Sequence, residues 1–277
     1  MATRIGGAGF DVVLWNRDPS KAESLAEALG ARVAGSAAEA ASLGGVVLTS
    51  LADDAAVDRV YLGPDGVVEG IGARSVAVDT STVDPRTVRR AGAAIDEAGA
   101  AFLECPVSGS VSTVEAGGLT IMAGGDPDLI ERVRPVLETL AARIVHVGDR
   151  GAGAATKLAV NNLVHGLNVA LSEAIVLAER AGVDRAIAYE VFANGAGGAP
   201  FVQYKRAAYE HPETAPVAFS LDLVAKDYEL IVGLGERVGV PMEQAAASLD
   251  IVRRAIADGY GPRDLSAIAV FLRGGRD

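Results

Sequence analysis

In the first half of the chain, short apolar runs alternate with longer stretches whose apolar positions recur every three or four residues. Asp11 to Trp15 (DVVLW), Val46 to Ser50, Ser75 to Asp79, Ala101 to Glu104, Leu119 to Ala123 and Arg143 to Val147 read as strands. Three helices mark their own starts. Asp18-Pro19, Asp84-Pro85 and Asp126-Pro127 each set a capping carboxylate before a proline at the first helical position, where its missing N–H is no loss. The first of these helices runs to about Leu29, where Gly30 can take the left-handed conformation that ends it. The second ends near Gly99. This alternation predicts an α/β fold with a Rossmann-like doubly wound sheet.

The pattern changes after Gly148. From about Gly153 to Ala181 the sequence is helical, without a strong breaker, and apolar on most sides. Some 30 residues span ~45 Å at 1.5 Å per residue, enough to cross between domains or to pack against a second subunit. Shorter helices follow, broken at Gly195 to Pro200, at His211-Pro212 and at Gly259 to Pro262. The expected organisation is a dinucleotide-binding domain over 1–149 and an all-helical domain over 150–277.

Composition narrows the class. Of 277 residues half are hydrophobic and 22% charged, which suits two ordinary domains with sizeable cores. A net charge of -11 argues against a nucleic-acid partner, whose binding rests on Lys and Arg. The single cysteine, Cys105, cannot form an internal disulfide, and one Cys with three His argues against a zinc site. No uninterrupted apolar run reaches the ~18 residues of a membrane span, and no signal-peptide pattern follows Met1. The expectation is a cytoplasmic protein without a membrane or metal partner.

A dinucleotide-binding domain opens with a strand, a GxGxxG loop and a helix. The early glycines, Gly6-Gly7-Ala8-Gly9, have neither that spacing nor that order. They read as the end of a first helix, containing Met1 to Ile5, and its turn into a strand. The expectation is an N-terminally truncated sheet, with the first strand and phosphate loop upstream of Met1. A different α/β topology is the alternative.

Candidate chemistry gathers at strand ends. Asn16-Arg17 follows the first strand, where the adenosine ribose is read. An acidic residue there would repel a 2'-phosphate, whereas Arg17 offers a fork of donors to it, so NADP is expected over NAD. Leu51 to Val57 and Asp79-Thr80-Ser81-Thr82 follow two further strands, with Asp53 and Asp84 as helix caps. Ser108 and Gly109, in Glu104 to Ser110, would present a hydroxyl and free amides to a small carboxylate; Cys105 reads as structural. The most distinctive segment is Gly151 to Asn162. It places Lys157 in an apolar helix just past a glycine-rich junction, with Asn161 four residues on and on the same face. His165, Asn168 and Ser172 continue the stripe, His165 as a structural or interface residue. A desolvated lysine has its pKa lowered towards neutrality, which suits proton transfer; a snorkelling surface lysine is the ordinary alternative. Lys226-Asp227 stands in an amphipathic segment opened by Phe219.

In this order these residues resemble the β-hydroxyacid dehydrogenase family. Glu104 to Ser110 is similar to its D-A-P-V-S-G-G motif, with Glu, Cys and Ser replacing Asp, Ala and the second Gly. Gly151, Gly153 and Lys157 are similar to G-x-G-x-x-x-K-x-x-N-N, with Asn161 and Asn162 as the paired asparagines once one spacer residue is added. Phe219 to Asp227 resembles the family's F-x-L-x-L segment and K-D pair. The resemblance implies an NADP-dependent enzyme (NAD possible) interconverting a small β-hydroxyacid and its semialdehyde or keto acid. It implies Lys157 as general acid/base supported by Asn161. Ser108, Gly109 and Ser110 would hold the substrate carboxylate; Thr82 and Lys226 would lie near the nicotinamide, and Leu51 and Ala52 along the cofactor crevice. The long apolar helix from about Gly153 to Ala181 separately predicts a homodimer or higher homo-oligomer. An inactive dimerising remnant and an imine-reductase-like enzyme remain as alternative readings.

Overall fold

The computed structural model of the chain describes residues 1–275. They form two compact units, residues 1–157 and residues 158 onward, divided inside one continuous helix. The first unit runs α1 (Ala2–Gly7), β1 (Val13–Leu14), α2 (Pro19–Leu29), β2 (Arg32–Val33), α3 (Ala37–Ser42), β3 (Val46–Thr49), α4 (Asp54–Leu62), α5 (Val67–Gly70), β4 (Val76–Asp79), α6 (Pro85–Glu97), β5 (Ala101–Glu104), β6 (Val107–Ser108), α7 (Val111–Glu115), β7 (Leu119–Gly124), α8 (Pro127–Leu137) and β8 (Ala141–Gly148). The helix α9 (Ala152–Arg180) carries the chain into the second unit.

The three Asp-Pro helices start where the sequence marks them. Asp18, Asp84 and Asp126 each accept the backbone N–H two residues on, and Gly30 closes α2 at φ 62°. Parallel strands β3, β4 and β5 stand side by side. Their register aligns Thr49 with Asp79 and Asp79 with Glu104, three polar residues in a row across the carboxyl ends. Next to Glu104 in the same row is Gly124 of β7, which runs antiparallel to β5 and β6 and parallel to β8. The sheet is therefore mixed. Its two apolar faces pack separately: Val57, Tyr61, Val88, Ile95 and Phe102 on one side, Val78, Leu103, Ile121, Val133 and Leu137 on the other.

The structure departs from the sequence reading at β1. This strand is two residues rather than five, because β2, its partner, offers only Arg32 and Val33 as register mates. The pair forms a small parallel sheet separate from the six-stranded one. Gly6 to Gly9 do close a helix: α1 ends at Gly7, and Gly9 turns at φ 91°.

The second unit adds α10 (Arg185–Asn194), α11 (Pro200–Glu210), α12 (Leu221–Val238), α13 (Glu243–Ala255) and α14 (Ala267–Leu272) to the rest of α9. Left-handed Gly239 (φ 73°) separates α12 from α13, a break the hydrophobic pattern does not reveal. Tyr189, Tyr209, Tyr228, Leu221, Val224 and Val252 are buried in its core. By length and apolar content alone α9 would pass for a membrane span. Its polar stripe is answered within the unit. Asn168 donates to the Leu265 carbonyl (3.0 Å) and accepts from the Tyr209 hydroxyl (2.7 Å), and Ser172 donates to the Asn168 carbonyl (2.8 Å). Lys205 reaches both carboxylate oxygens of Asp264 at 2.8 Å, and Asp264 also takes the Ala218 and Ser266 amides. That buried pair is fully answered, as a buried charge must be.

Candidate active site

At the ends of β3 and β4 a network of hydroxyls converges on one carboxylate. Thr49 and Ser81 each donate to Asp79 Oδ1 at 2.7 Å, and Tyr61 shares a hydrogen bond with Thr49 at 2.8 Å. Ser81 Oγ accepts the Leu51 amide at 2.9 Å, so the two loops leading from these strands are tied to each other through Asp79. Asp79 is buried with no cation among its partners, and burial pushes its carboxyl up to about 6. Thr82 follows one residue beyond this network.

At the end of β5, Glu104 is 1% exposed. Its carboxylate accepts three backbone N–H groups: Oε1 those of Gly151 and Gly153 (2.9 Å), Oε2 that of Ala154 (3.0 Å). These amides belong to the opening turn of α9, whose first N–H groups have no partner within the helix. Lys157 stands one turn further on, half-buried.

In the second unit, Asp227 of α12 is fully buried and collects three side chains. Oδ2 accepts from Asn161 Nδ2 (2.6 Å) and pairs with His165 Nε2 (3.0 Å). Lys226 Nζ lies 2.8 Å from Oδ1, an ion pair. Burial pushes Asp227 up, but the His165 hydrogen bond and the Lys226 charge outweigh it and hold the carboxyl below its ordinary range. His165 must carry its proton on Nε2 to donate here, which leaves Nδ1 buried without a partner. The ring stacks near Phe219, centroids 5.7 Å apart. The sequence reading placed Asn161 and Lys226 separately; the fold joins both to Asp227.

The other expected site residues lie as follows. Ser108 is half-buried in β6, a two-residue strand absent from the strands the sequence pattern predicts. Gly109 has φ 144°, and a Cβ there would meet Leu119 and Thr113 within 2.8 Å. The Ser110 hydroxyl is engaged as the cap of α7, in a reciprocal pair with Thr113. Cys105 is buried, and burial pushes its thiol far up, which suits a structural side chain. Asn16 accepts the Asp18 amide, and Arg17 is exposed at the carboxyl end of β1. After β1 the Arg17 guanidinium is exposed, whereas after β3 and β4 the Thr49 and Ser81 hydroxyls and the Leu51 amide are spent on the Asp79 network. A strand–GxGxxG–helix cradle has no counterpart among the described residues.

Residues 1–148 match the family model described as the NAD binding domain of 6-phosphogluconate dehydrogenase. Residues 151–272 match that described as NAD-binding of NADP-dependent 3-hydroxyisobutyrate dehydrogenase. The chain is 34% identical over 273 residues to glyoxylate/succinic semialdehyde reductase 2, chloroplastic, of Arabidopsis thaliana, covering 99% of this chain and 76% of that one. Among solved structures it is similar to 3-hydroxyisobutyrate dehydrogenase from Salmonella typhimurium, with TM-score 0.90 and 26% identity over 98% of this chain and 94% of that one. The Mycobacterium tuberculosis 3-hydroxyisobutyrate dehydrogenase with L-serine gives TM-score 0.84 and 30% identity, again over 98% and 94%. A Rossmann-like domain followed by a helical one, with these matches, defines an NAD(P)-dependent dehydrogenase. Within that class, the chain belongs to the β-hydroxyacid dehydrogenase family. The expectation of a strand and phosphate loop upstream of Met1 is not borne out by these matches.

Asp79 has a measurable signature. Its folded pKa lies above the unfolded value, so the stability it contributes is complete below about pH 4 and is lost as pH rises through about 6. The loss amounts to roughly 3 kcal/mol at neutral pH. Asp79→Asn keeps the acceptor Oδ1 and removes the charge. Urea unfolding at pH 4.5 and pH 7 should show a smaller fall in stability for the variant than for the wild type. Equal falls would refute the assignment.

Proposed function

We propose that the protein is an NADP-preferring enzyme that interconverts a small β-hydroxyacid and its semialdehyde or keto acid, with Lys157 as the proton-transferring group. The observation that carries this reading is the setting of Lys157. It is half-buried, one turn beyond a helix start held by Glu104, and one turn before Asn161, whose amide is fixed by Asp227. The relatives add the substrate class: one is named for glyoxylate and succinic semialdehyde, and one solved structure contains L-serine.

The bound nicotinamide cofactor supplies or takes the hydride. In reduction, Lys157 Nζ gives its proton to the carbonyl oxygen as that oxygen gains negative charge. In oxidation, the neutral amine takes the hydroxyl proton. Asn161 spends its Nδ2 on Asp227, which leaves its side-chain oxygen as the acceptor for Lys157 or substrate. Ser108 and the Gly109 amide hold the carboxylate, because Ser110 commits both its hydroxyl and its amide to the cap of α7. Leu51, Ala52 and Thr82 line the cofactor crevice of the first unit, and in the second unit Lys226, paired with Asp227, is a further cofactor contact. Asn16 and Arg17 read the ribose, with the guanidinium selecting a 2'-phosphate.

Lys157→Ala should lower kcat for a small semialdehyde by 100-fold or more, the usual worth of a positioned acid, while NADPH binding by fluorescence titration stays unchanged. A loss under threefold would remove Lys157 from the chemistry. Arg17→Asp should raise KM for NADPH by tenfold or more, the scale of a lost charge-assisted hydrogen bond, and leave KM for NADH within about twofold. Equal effects on both would show that Arg17 does not read the phosphate.

The reading includes a homodimer. Leu163 and Leu177 of α9 are 74% and 72% exposed, and Ile187 and Val191 of α10 are exposed as well. Such apolar surface favours burial against a second copy. Light scattering should give twice the chain mass or a higher multiple; a monomer at working concentration would overturn it.

A further inference from the structure

Most helices in this chain that carry a side-chain cap take it from a residue immediately before them. The helix α9 takes its cap from Glu104, 47 to 50 residues earlier in sequence, at the end of β5. We propose that Glu104 is the positioning residue of the active site: its carboxylate clamps the first turn of α9 to the ends of β5 and β7 and so sets where Lys157 stands. This rests on the reading of Lys157 as the proton-transferring group.

The surrounding backbone is built for that clamp. Gly124, beside Glu104 in the sheet row, would put a Cβ 2.2 Å from Glu104 Oε1. Gly153 would put one 2.7 Å from the Met122 carbonyl and 2.9 Å from Glu104 Cδ. Gly151 has φ 102°, a conformation that glycine adopts without strain, and a Cβ there would meet Arg89. Gly124 and Gly153 thus clear the volume in which a buried carboxylate meets three amides, and Gly151 supplies the turn that presents the first of them. A cap supplied by a neighbouring residue moves with its helix. A cap supplied by a sheet strand holds the helix at a fixed height. Lys157 is four residues past Gly153, about 6 Å along the axis, so any slip of the first turn is passed directly to its amine. Misplacing a catalytic group by ~1 Å can cost 100-fold in rate.

The experiment compares Glu104→Gln with Glu104→Asp. Gln preserves size but replaces one acceptor oxygen with a donor, so at least one amide loses its partner. Asp keeps both acceptors on a shorter arm. Glu104→Gln should lower kcat 10- to 100-fold, leave KM for NADPH within threefold, and raise the deuterium isotope effect on kcat with deuterated NADPH. Glu104→Asp should recover part of kcat. Hydrogen exchange measured without cofactor should quicken tenfold or more for amides of residues 151–157 in the Gln variant, and stay unchanged in α12 and α13. If Gln does not fold, Gly153→Ala, which pushes the same turn off the strand with the carboxylate intact, should give the same signature. Faster exchange with unchanged kcat and isotope effect would reduce Glu104 to a structural cap and overturn the proposal. Unchanged exchange would overturn it outright. If Lys157→Ala remains active while the exchange arm behaves as expected, the clamp stands and the reading of Lys157 fails.

Discussion

A carboxylate removed from water must be answered by donors, and at Glu104 the donors are backbone amides that have nowhere else to go. The first N–H groups of α9 lack partners inside the helix, and Glu104 lacks water. Each satisfies the other. Hydrogen bonds to a charged acceptor contribute about 1.5–3 kcal/mol each, while burying the charge costs several kcal/mol. The net gain is therefore small, and the clamp specifies position more than it adds stability. That constraint accounts for the Gly-Ala-Gly start of α9, for Gly124 at the end of β7, and for the step of the chain from the sheet into a helix of 29 residues.

Buried carboxylates recur, and what faces them decides their character. Asp79 is met by hydrogen bonds from Thr49 and Ser81, which burial outweighs, and its proton affinity rises. Asp227 is as deeply buried, but the His165 hydrogen bond and the Lys226 charge outweigh burial, and its affinity falls. The two have different uses. The first, answered by hydroxyls, ties two loops to each other. A carboxylate that stays ionised suits a fixed acceptor, and Asp227 is the acceptor on which Asn161 and Lys226 both depend.

The readable parts of this fold are those whose physics is local. An aspartate before a proline caps a helix wherever it occurs, so the starts of α2, α6 and α8 are visible without any tertiary knowledge. Lys157 stands out for a similar reason, as a charge in an apolar helix after two glycines. Strands β2 and β6, two residues each, carry no period to detect. The bonds of Glu104 to the start of α9 and of Asp227 to Asn161 and His165 are invisible along the chain because they join residues 47 to 66 apart. The signal that would have found Glu104 is a pair of facts: an acidic residue ending an otherwise apolar strand, and a long helix without a capping residue of its own. His165 reads as a structural or interface residue, and its bond to Asp227 does not follow from the stripe it sits on.

Substrate recognition, on the proposed reading, follows from what is already committed. Ser110 spends its hydroxyl on α7, and a side chain at Gly109 would strike Leu119 and Thr113. What remains in this short segment to meet a carboxylate is the Ser108 hydroxyl and the Gly109 amide, neutral donors that suit one small anion. Cofactor discrimination is as sparse, since Arg17 is exposed and a water-screened guanidinium discriminates by forked hydrogen bonds rather than by long-range field. Selectivity in such an enzyme therefore lies in geometry. Geometry here is set by buried carboxylates that never need to touch the substrate, which is why the residues that fix the site differ in kind from the residues that react in it.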